Sequence, residues 1–320
     1  MPNTTKTQIP DEINNYYDRT LLERAVANFV HVQWGQVRDI PRNSGTVTIK
    51  FRRYANLTAA TTALTEGVTP TGSSLSVTDI TATALQYGDY VTVTDLVDFS
   101  SQDAVLTETT QIQGDQAGDT IDQLARDVMV AGTSVSYGGV ATTRGTVAAT
   151  NVITTTLLRA AIRTLKTNKA KFLKKMVPAS TNISTGPVAD AYIAIVHPAI
   201  TTTLKAMTGW RPYEEYGVAG MRLPGEVGKY EDIRFVETPN AKIFTGAGAG
   251  GIDVYAIMIL GEQAYGITRV GGEGMKTIRK PFGTVGADPL DQRSTVGWKM
   301  TFVAKILNDA FMTRIEVASV

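Results

Sequence analysis

The side chains that could carry chemistry in this 320-residue chain are few, and their spacing is poor. Only His31 and His197 could serve as general bases near neutral pH. His197 stands between the apolar run YIAIV and Pro198, the setting of a hydrogen-bonded structural histidine rather than a catalytic base. No G-x-S-x-G elbow occurs to support a Ser-His-Asp triad. Cysteine is absent, which excludes disulfides, thiolate ligands and thiol nucleophiles. Two histidines without cysteine also make a poor zinc site. Gly246, Gly248 and Gly251 match G-x-G-x-x-G, but β-branched IDVYAIMIL follows them. A phosphate cradle needs a helix N-terminus at that point, so the stretch reads as a loop between strands. GGEGMKT resembles the end of a phosphate loop around Lys276, and Met275 breaks the required G-K-[ST]. Asp95, Asp98 and Asp103, or Asp115, Asp119 and Asp122, could suggest a cation site. The second set recurs at i, i+4 and i+7, a solvated helix face. Nothing selects one carboxylate pair for glycoside hydrolysis among thirty acidic residues. The expectation is a protein with no catalytic residues, no cofactor and no metal.

Composition narrows the class further. The length fits about two domains, and a hydrophobic fraction of 43% is enough for a packed core. A formal net charge of +1 argues against a chain whose main task is gripping nucleic acid. The opening MPNTTKTQIP lacks an apolar signal core, and no run approaches the roughly 18 apolar residues of a membrane span. The expectation is a soluble chain carrying no classical export signal.

The element that positions everything else runs from about Asp98 to Gly132. Ala117, Ile121, Leu124, Ala125 and Val128 fall at i, i+4, i+7, i+8 and i+11 there, one apolar helix stripe. Asp115, Asp119, Asp122 and Arg126 turn away from it. Ser100 with Asp103 offers a cap and Gly132 a stop. Gly114 and Gly118 each cost about 1 kcal/mol against Ala inside a helix. Either something packs close to the backbone there, or two shorter helices break near Gly114.

Around this spine the chain reads as α+β without a regular βαβ rhythm. Residues 1–10 are a flexible polar arm, followed by a short amphipathic helix through Leu21, Leu22, Ala25, Val26 and Phe29. That helix docks either on its own domain or on a neighbour. TVTIKFRRY alternates Val47, Ile49 and Phe51 with Thr48, Lys50 and Arg52, a strand of period two. YGDYVTVTDLVD repeats the pattern. The Thr-rich stretch between them, turning near Gly67, Pro70 and Gly72, makes one very long hairpin. Its distal half has too few large apolar residues to bury itself, and an isolated ribbon is marginal in water. TSVSYGGVATTRG reads as a loop or short hairpin. Leu157, Leu158, Ala161, Ile162 and Leu165 stripe a second helix with a basic tail from Lys166 to Lys175. AYIAIVHPAI, GKYEDIRFVETP, AKIFTG and VYAIMILG are strands. The end, around Asn308 and Asp309, reads as a hairpin.

This order of elements resembles the major capsid proteins of tailed bacteriophages, with the Hong Kong 97-type fold. YYDRTLLERAV, TIKFRRY, LTEGVTP and QYGDYVTVTDLVD are similar to the arm and extended loop of one branch of that group. GDQAGDTIDQLARDVMVAGT is similar to its spine, and YIAIVHP with GEVGKYEDIRFVETP to its axial domain. The resemblance covers nearly the whole chain from Tyr16 onward.

What the resemblance implies is a non-enzymatic α+β capsid subunit. It divides the chain into an N-terminal arm at 1–45 and an extended β-hairpin loop at 46–97. A peripheral domain at 98–185 holds the spine at 98–132, an axial domain spans 186–290, and the return strands of the peripheral domain span 291–320. Copies would form pentamers and hexamers closing an icosahedral shell around double-stranded DNA, which is contacted non-specifically. The short arm implies a separate scaffold beside a portal, and a decoration protein in some relatives. Assembly would take place in the bacterial host cytoplasm, and no membrane is involved. Candidate assembly contacts are Arg52 and Arg53 on the ribbon, Glu66 near its tip, and Asp115, Asp119 and Arg126 on the spine. An encapsulin-like compartment shell, or from another class a carbohydrate-active enzyme or adhesin, would be alternative uses of the same elements.

Overall fold

The structure is a computed structural model that describes residues 29–41, 45–100, 105–178, 187–216, 222–270, 276–284 and 288–319. The helix expected over Leu21–Phe29 falls almost wholly outside the described residues, as do Asp103 and Met275.

The spine is helix α2, Val105–Val130 (26 residues), about 39 Å long at ~1.5 Å per residue. A short helix α1, Asp95–Ser100, precedes it. The chain runs unbroken through Gly114 and Gly118, so the two-helix alternative broken at Gly114 is not what forms. The two glycines differ in their surroundings. A β-carbon on Gly118 would strike the ring of Phe29, whereas one on Gly114 meets nothing within 4 Å.

The buried rail of α2 departs from the apolar stripe. Thr109, Gln113, Ala117, Gly118, Asp122, Ala125 and Met129 are buried, while Ile121, Leu124 and Val128 are only partly so. Asp122, expected on the solvated face, is fully buried because His31 supplies it with two hydrogen bonds.

The strands form three sheets. In the five-stranded sheet, β1 (Gln36–Ile40), β12 (Tyr265–Val270), β14 (Arg293–Ile306) and β13 (Lys276–Lys280) follow in that order, and β4 (Leu85–Thr94) also pairs with β14. Val296, Trp298, Met300 and Phe302 alternate inward from β14, and the last three pack with Ala117, Ala125 and Met129 of α2. The eight-stranded sheet runs β5 (Val135–Tyr137), β15 (Met312–Val317), β11 (Val254–Leu260), β6 (Tyr192–Val196), β9 (Ile233–Glu237), β8 (Glu226–Tyr230) and β7 (Trp210–Pro212). In it β10 (Ile243–Phe244) pairs with β11. Central strand β6 is buried on both faces, as a continuous apolar run requires. Helix α3, Thr155–Thr167, presents Leu158, Ala161, Ile162 and Leu165 to this core, with α4, Pro198–Lys205, beside it. The two-stranded sheet is the ribbon, β2 (Thr48–Tyr54) against β3 (Val77–Thr83).

Four expectations change. YGDYVTVT is not the ribbon's return strand: β3 pairs with β2, and after Ala84 the chain leaves the ribbon to pair with β14 as β4. Ala82, Ala84 and Val93 are buried across that transition. TSVSY makes no hairpin; β5 joins β15 in parallel. The terminal strands do not pair either, because a 3-10 turn at Asp309–Phe311, capped by Asn308, sends β15 into the other sheet. The basic tail mostly follows α3 rather than ending it, since the helix stops at Thr167 and Lys169 takes a φ of 57°. GAGAGG is a loop between strands β10 and β11, as its sequence context required.

Candidate assembly surfaces

The ribbon is built from alternation. Ile49 and Phe51 point toward the body, while Lys50 and Arg52 are exposed. The Phe51 ring closes over Gly266 of β12, within 3.1 Å of where a β-carbon would stand. On the outer side Arg52 Nε lies 3.3 Å from Asp79 Oδ1 across the ladder. Arg53 turns back, and its Nη1 donates to Asn308 Oδ1 at 2.8 Å, tying the ribbon base to the β14–β15 corner. A cavity of about 620 Å³ lies between ribbon and corner, lined by Arg38, Phe51, Arg53 and Asn168 among others.

Beyond Tyr54 and Val77 one more rung forms, with the Ala55 N–H donating to Ser76 O. Residues 55–76 otherwise lie outside any ladder and are exposed throughout. Leu57, Leu64, Val68 and Leu75 lie in this stretch, and Leu64 is 77% exposed. Glu66 sits in the tip turn, followed by Gly67 at φ 73°. Full burial of a Leu is worth about 1.5–3 kcal/mol, a gain this part of the ribbon forgoes within the subunit.

On the spine, Asp119 and Arg126 meet the same turn between β9 and β10. Asp119 accepts from Asn240 Nδ2 and from Gln123 Nε2, and Arg126 Nη1 donates to Asn240 O at 2.9 Å. Beside them Asp127 receives Arg126 and Lys242, each at 3.0 Å. Partial burial works against the Asp127 charge, but the two cations outweigh it and hold the carboxyl below its ordinary range. Asp115 is half-buried one turn earlier. The six candidates thus form two groups, on the ribbon and along the spine, and not one cluster. Among the described residues no group of acidic and histidine side chains could hold a metal ion.

His197 caps α4: its Nδ1 accepts from the Ala199 N–H at 3.1 Å, and its ring lies 5.2 Å from that of Tyr255. Burial lowers its pKa, partly opposed by Glu237.

A junction that the residue pattern hid lies at the start of the described chain. The His31 N–H and Nδ1 meet Asp122 Oδ1 and Oδ2, both at 2.7 Å, and Tyr265 OH donates to His31 O. Val30 and Trp34 are buried on either side. The only trace in the sequence is an apolar FVHVQW around the histidine, and nothing local points to residue 122.

Among solved structures, the chain is similar to the capsid of Ralstonia phage GP4 at a TM-score of 0.74. Identity is 13%, covering 97% of this chain and 96% of that one. It is similar to the capsid of cyanophage P-SCSP1u at 0.69, with 16% identity over 100% and 97% of the two chains. It also matches the cyanophage Pam1 capsid at 0.67, with 13% identity and 96% of each chain covered. No curated protein sequence matches. The likeness to these structures shows a shared fold, the Hong Kong 97-type architecture of tailed-phage heads. The profile of the family described as phage capsid protein matches residues 77–315, which takes in the spine, every strand of the two large sheets except β1, and all but the last two residues of β15. The chain belongs to the phage capsid protein family and is a major capsid protein, a structural subunit of the icosahedral head.

Proposed function

We propose that copies of this chain associate as pentamers and hexamers, and that the ribbon of each copy reaches over its neighbour. The observation that carries this is the exposed stretch at 55–76, whose leucines find no burial within the subunit. Ordering such a stretch costs backbone entropy of about 1–2 kcal/mol per residue, and contact with a second copy is what offsets it. Arg52, Arg53 and Glu66 would act on the ribbon, and Asp115, Asp119 and Arg126 along the spine, as contacts between subunits. The arm would occupy 1–45, the extended loop 46–97, the peripheral domain 98–185 with 291–320, and the axial domain 186–290.

On this reading the protein catalyses nothing and assembles in the bacterial cytoplasm with a separate scaffold and a portal. It takes a decoration protein if the phage makes one, and touches packaged double-stranded DNA without reading sequence. Sedimentation and negative-stain imaging of the purified chain, alone and beside a scaffold, test it. Rings of five or six, sheets or closed particles are expected. A monomer at every concentration and salt, even with a scaffold, overturns it. Particles filled with protein cargo instead of nucleic acid would favour a compartment shell.

A further inference from the structure

The face of the five-stranded sheet turned away from the spine carries an unusual grid. Reading across β4, β14 and β13, the rows are Gly88, Lys299, Lys276, then Tyr90, Gly297, Ile278, then Thr92, Thr295, Lys280. The ladder alternation puts all nine on one face, because the intervening Val296 and Trp298 are buried on the other. Lys276 and Lys299 stand directly opposite each other, a pairing that destabilises a ladder unless an anion lies between them. The three strands place no carboxylate on this face; Asp89 points to the other side, where it accepts from Gln116 Nε2. Among the described residues no acidic side chain pairs with Lys276, Lys280 or Lys299.

Gly88 and Gly297 lower the floor between Tyr90 and Ile278, leaving an open groove of about 700 Å³. A β-carbon on Gly297 would come within 2.7 Å of Asp89 O and Tyr90 Cβ. Glycine in a strand interior commonly marks close approach of backbone, and at Gly297 that approach is made by β4 of the same subunit. The groove is therefore cationic at its ends and aromatic and shallow at its centre.

The same subunit displays the complement. Helix α1, DLVDFS, buries none of its residues; Phe99 is 90% and Leu96 71% exposed. Two acids, Asp95 and Asp98, flank these apolar groups. Helix α1 continues β4 and contacts α2, the side opposite the groove, so it cannot reach the groove of its own subunit. The ribbon fits less well: Lys50, Arg52 and Arg53 outnumber Glu66 and Asp79 along it.

Resting on the reading of the chain as a shell subunit, we infer that the α1 knob of one copy docks in the β4–β14–β13 groove of the next. Phe99 and Leu96 enter between Tyr90 and Ile278 over the two glycines. Asp95 and Asp98 meet Lys276, Lys280 and Lys299. Knob and groove are different surfaces, so the contact is heterologous and runs head to tail, the geometry that closes into rings.

The test is charge exchange in the full chain. Lys280→Glu with Lys299→Glu, and separately Asp98→Lys, are expected to lower assembly by about tenfold or more, since opposed like charges replace complementary ones. The triple combination recovers most of it, and Phe99→Ala on the knob weakens assembly without altering the fold by circular dichroism. Normal assembly of the lysine double variant overturns the inference, as does failure of the triple combination beside an unaffected Phe99→Ala. So does a lysine variant that builds normal shells yet loses nucleic acid, which would make the groove a polyanion site. Salt-dependent self-association of unassembled subunits reads the same contact by sedimentation. A lysine double variant that assembles as the unaltered chain does strikes this inference and leaves the shell reading standing, whereas an unaltered chain that stays monomeric at every concentration and salt, even beside a scaffold, strikes both.

Discussion

The Phe29 ring lies on the backbone of α2 at Gly118, so close that a β-carbon there would stand 1.8 Å from its Cζ. Gly118 thus trades helix propensity for a seat on which the entering chain rests. Gly118→Ala gains about 1 kcal/mol of propensity but evicts a ring, so no net stabilisation is expected. Gly114→Ala, with open space around it, should raise unfolding stability by about 1 kcal/mol. Urea unfolding of the unassembled subunit checks both, and Phe29→Ala combined with Gly118→Ala should recover the propensity gain.

The His31–Asp122 pair binds the same entering segment to the same helix. Asp122→Ala strips a buried ring nitrogen and a buried backbone N–H of their partner, leaving groups 1% exposed without compensation. A loss of about 3 kcal/mol is expected from two such orphaned groups. Asp122→Asn, which keeps an acceptor, should cost less than half as much. Denaturant midpoints of the two variants separate these outcomes.

Glu226 and Arg234 form a buried bidentate pair in the β8–β9 hairpin, with both contacts at 2.6 Å. Glu226 also receives the Leu223 N–H at 2.9 Å, and the guanidinium faces the Tyr216 ring. Glu226→Ala takes the bidentate carboxylate from a guanidinium 2% exposed, and breaking a buried pair by removing one partner costs about 3–5 kcal/mol. Thermal unfolding should register it as a lower Tm, and replacing both residues by apolar ones of similar volume should restore much of the loss.

Stability should depend on pH through His197. Its folded pKa is lowered, chiefly by burial, while the unfolded value is about 6.5. The folded chain therefore binds its proton later than the unfolded chain does. The contribution is fully present above about pH 6.5 and is lost as pH falls from there through the lowered folded value. His197→Asn keeps a cap on α4 without titrating, so its stability difference from the unaltered chain should shrink in acid. Denaturant titrations between about pH 5 and about pH 7.5 measure this.

The ribbon can be shortened without touching its ladder. Joining Ala55 to Ser76 by a tight turn keeps every β2–β3 pair from Thr48↔Thr83 to Tyr54↔Val77. The subunit should fold with unchanged circular dichroism but fail to build closed shells. Normal particles from that chain would count against the role proposed for residues 56–75.

Local pattern alone determined much of this protein. Period-two alternation in TIKFRRY, the i, i+4 stripe of α3, the all-apolar β6 and the loop character of GAGAGG each depend on neighbours a few residues away. The spine was legible for the same reason. Partnership across long stretches was decided only by the folded chain. Asp122 reads as solvated until His31, 91 residues earlier, is brought against it. β4 reads as the ribbon's second strand until β14, some two hundred residues later, takes its hydrogen bonds. The Asn308 turn reads as a hairpin until its two strands enter different sheets. Alternation specifies which face of a strand is buried but not against what, because backbone hydrogen bonds are the same for every partner. That choice belongs to the packing of the whole core.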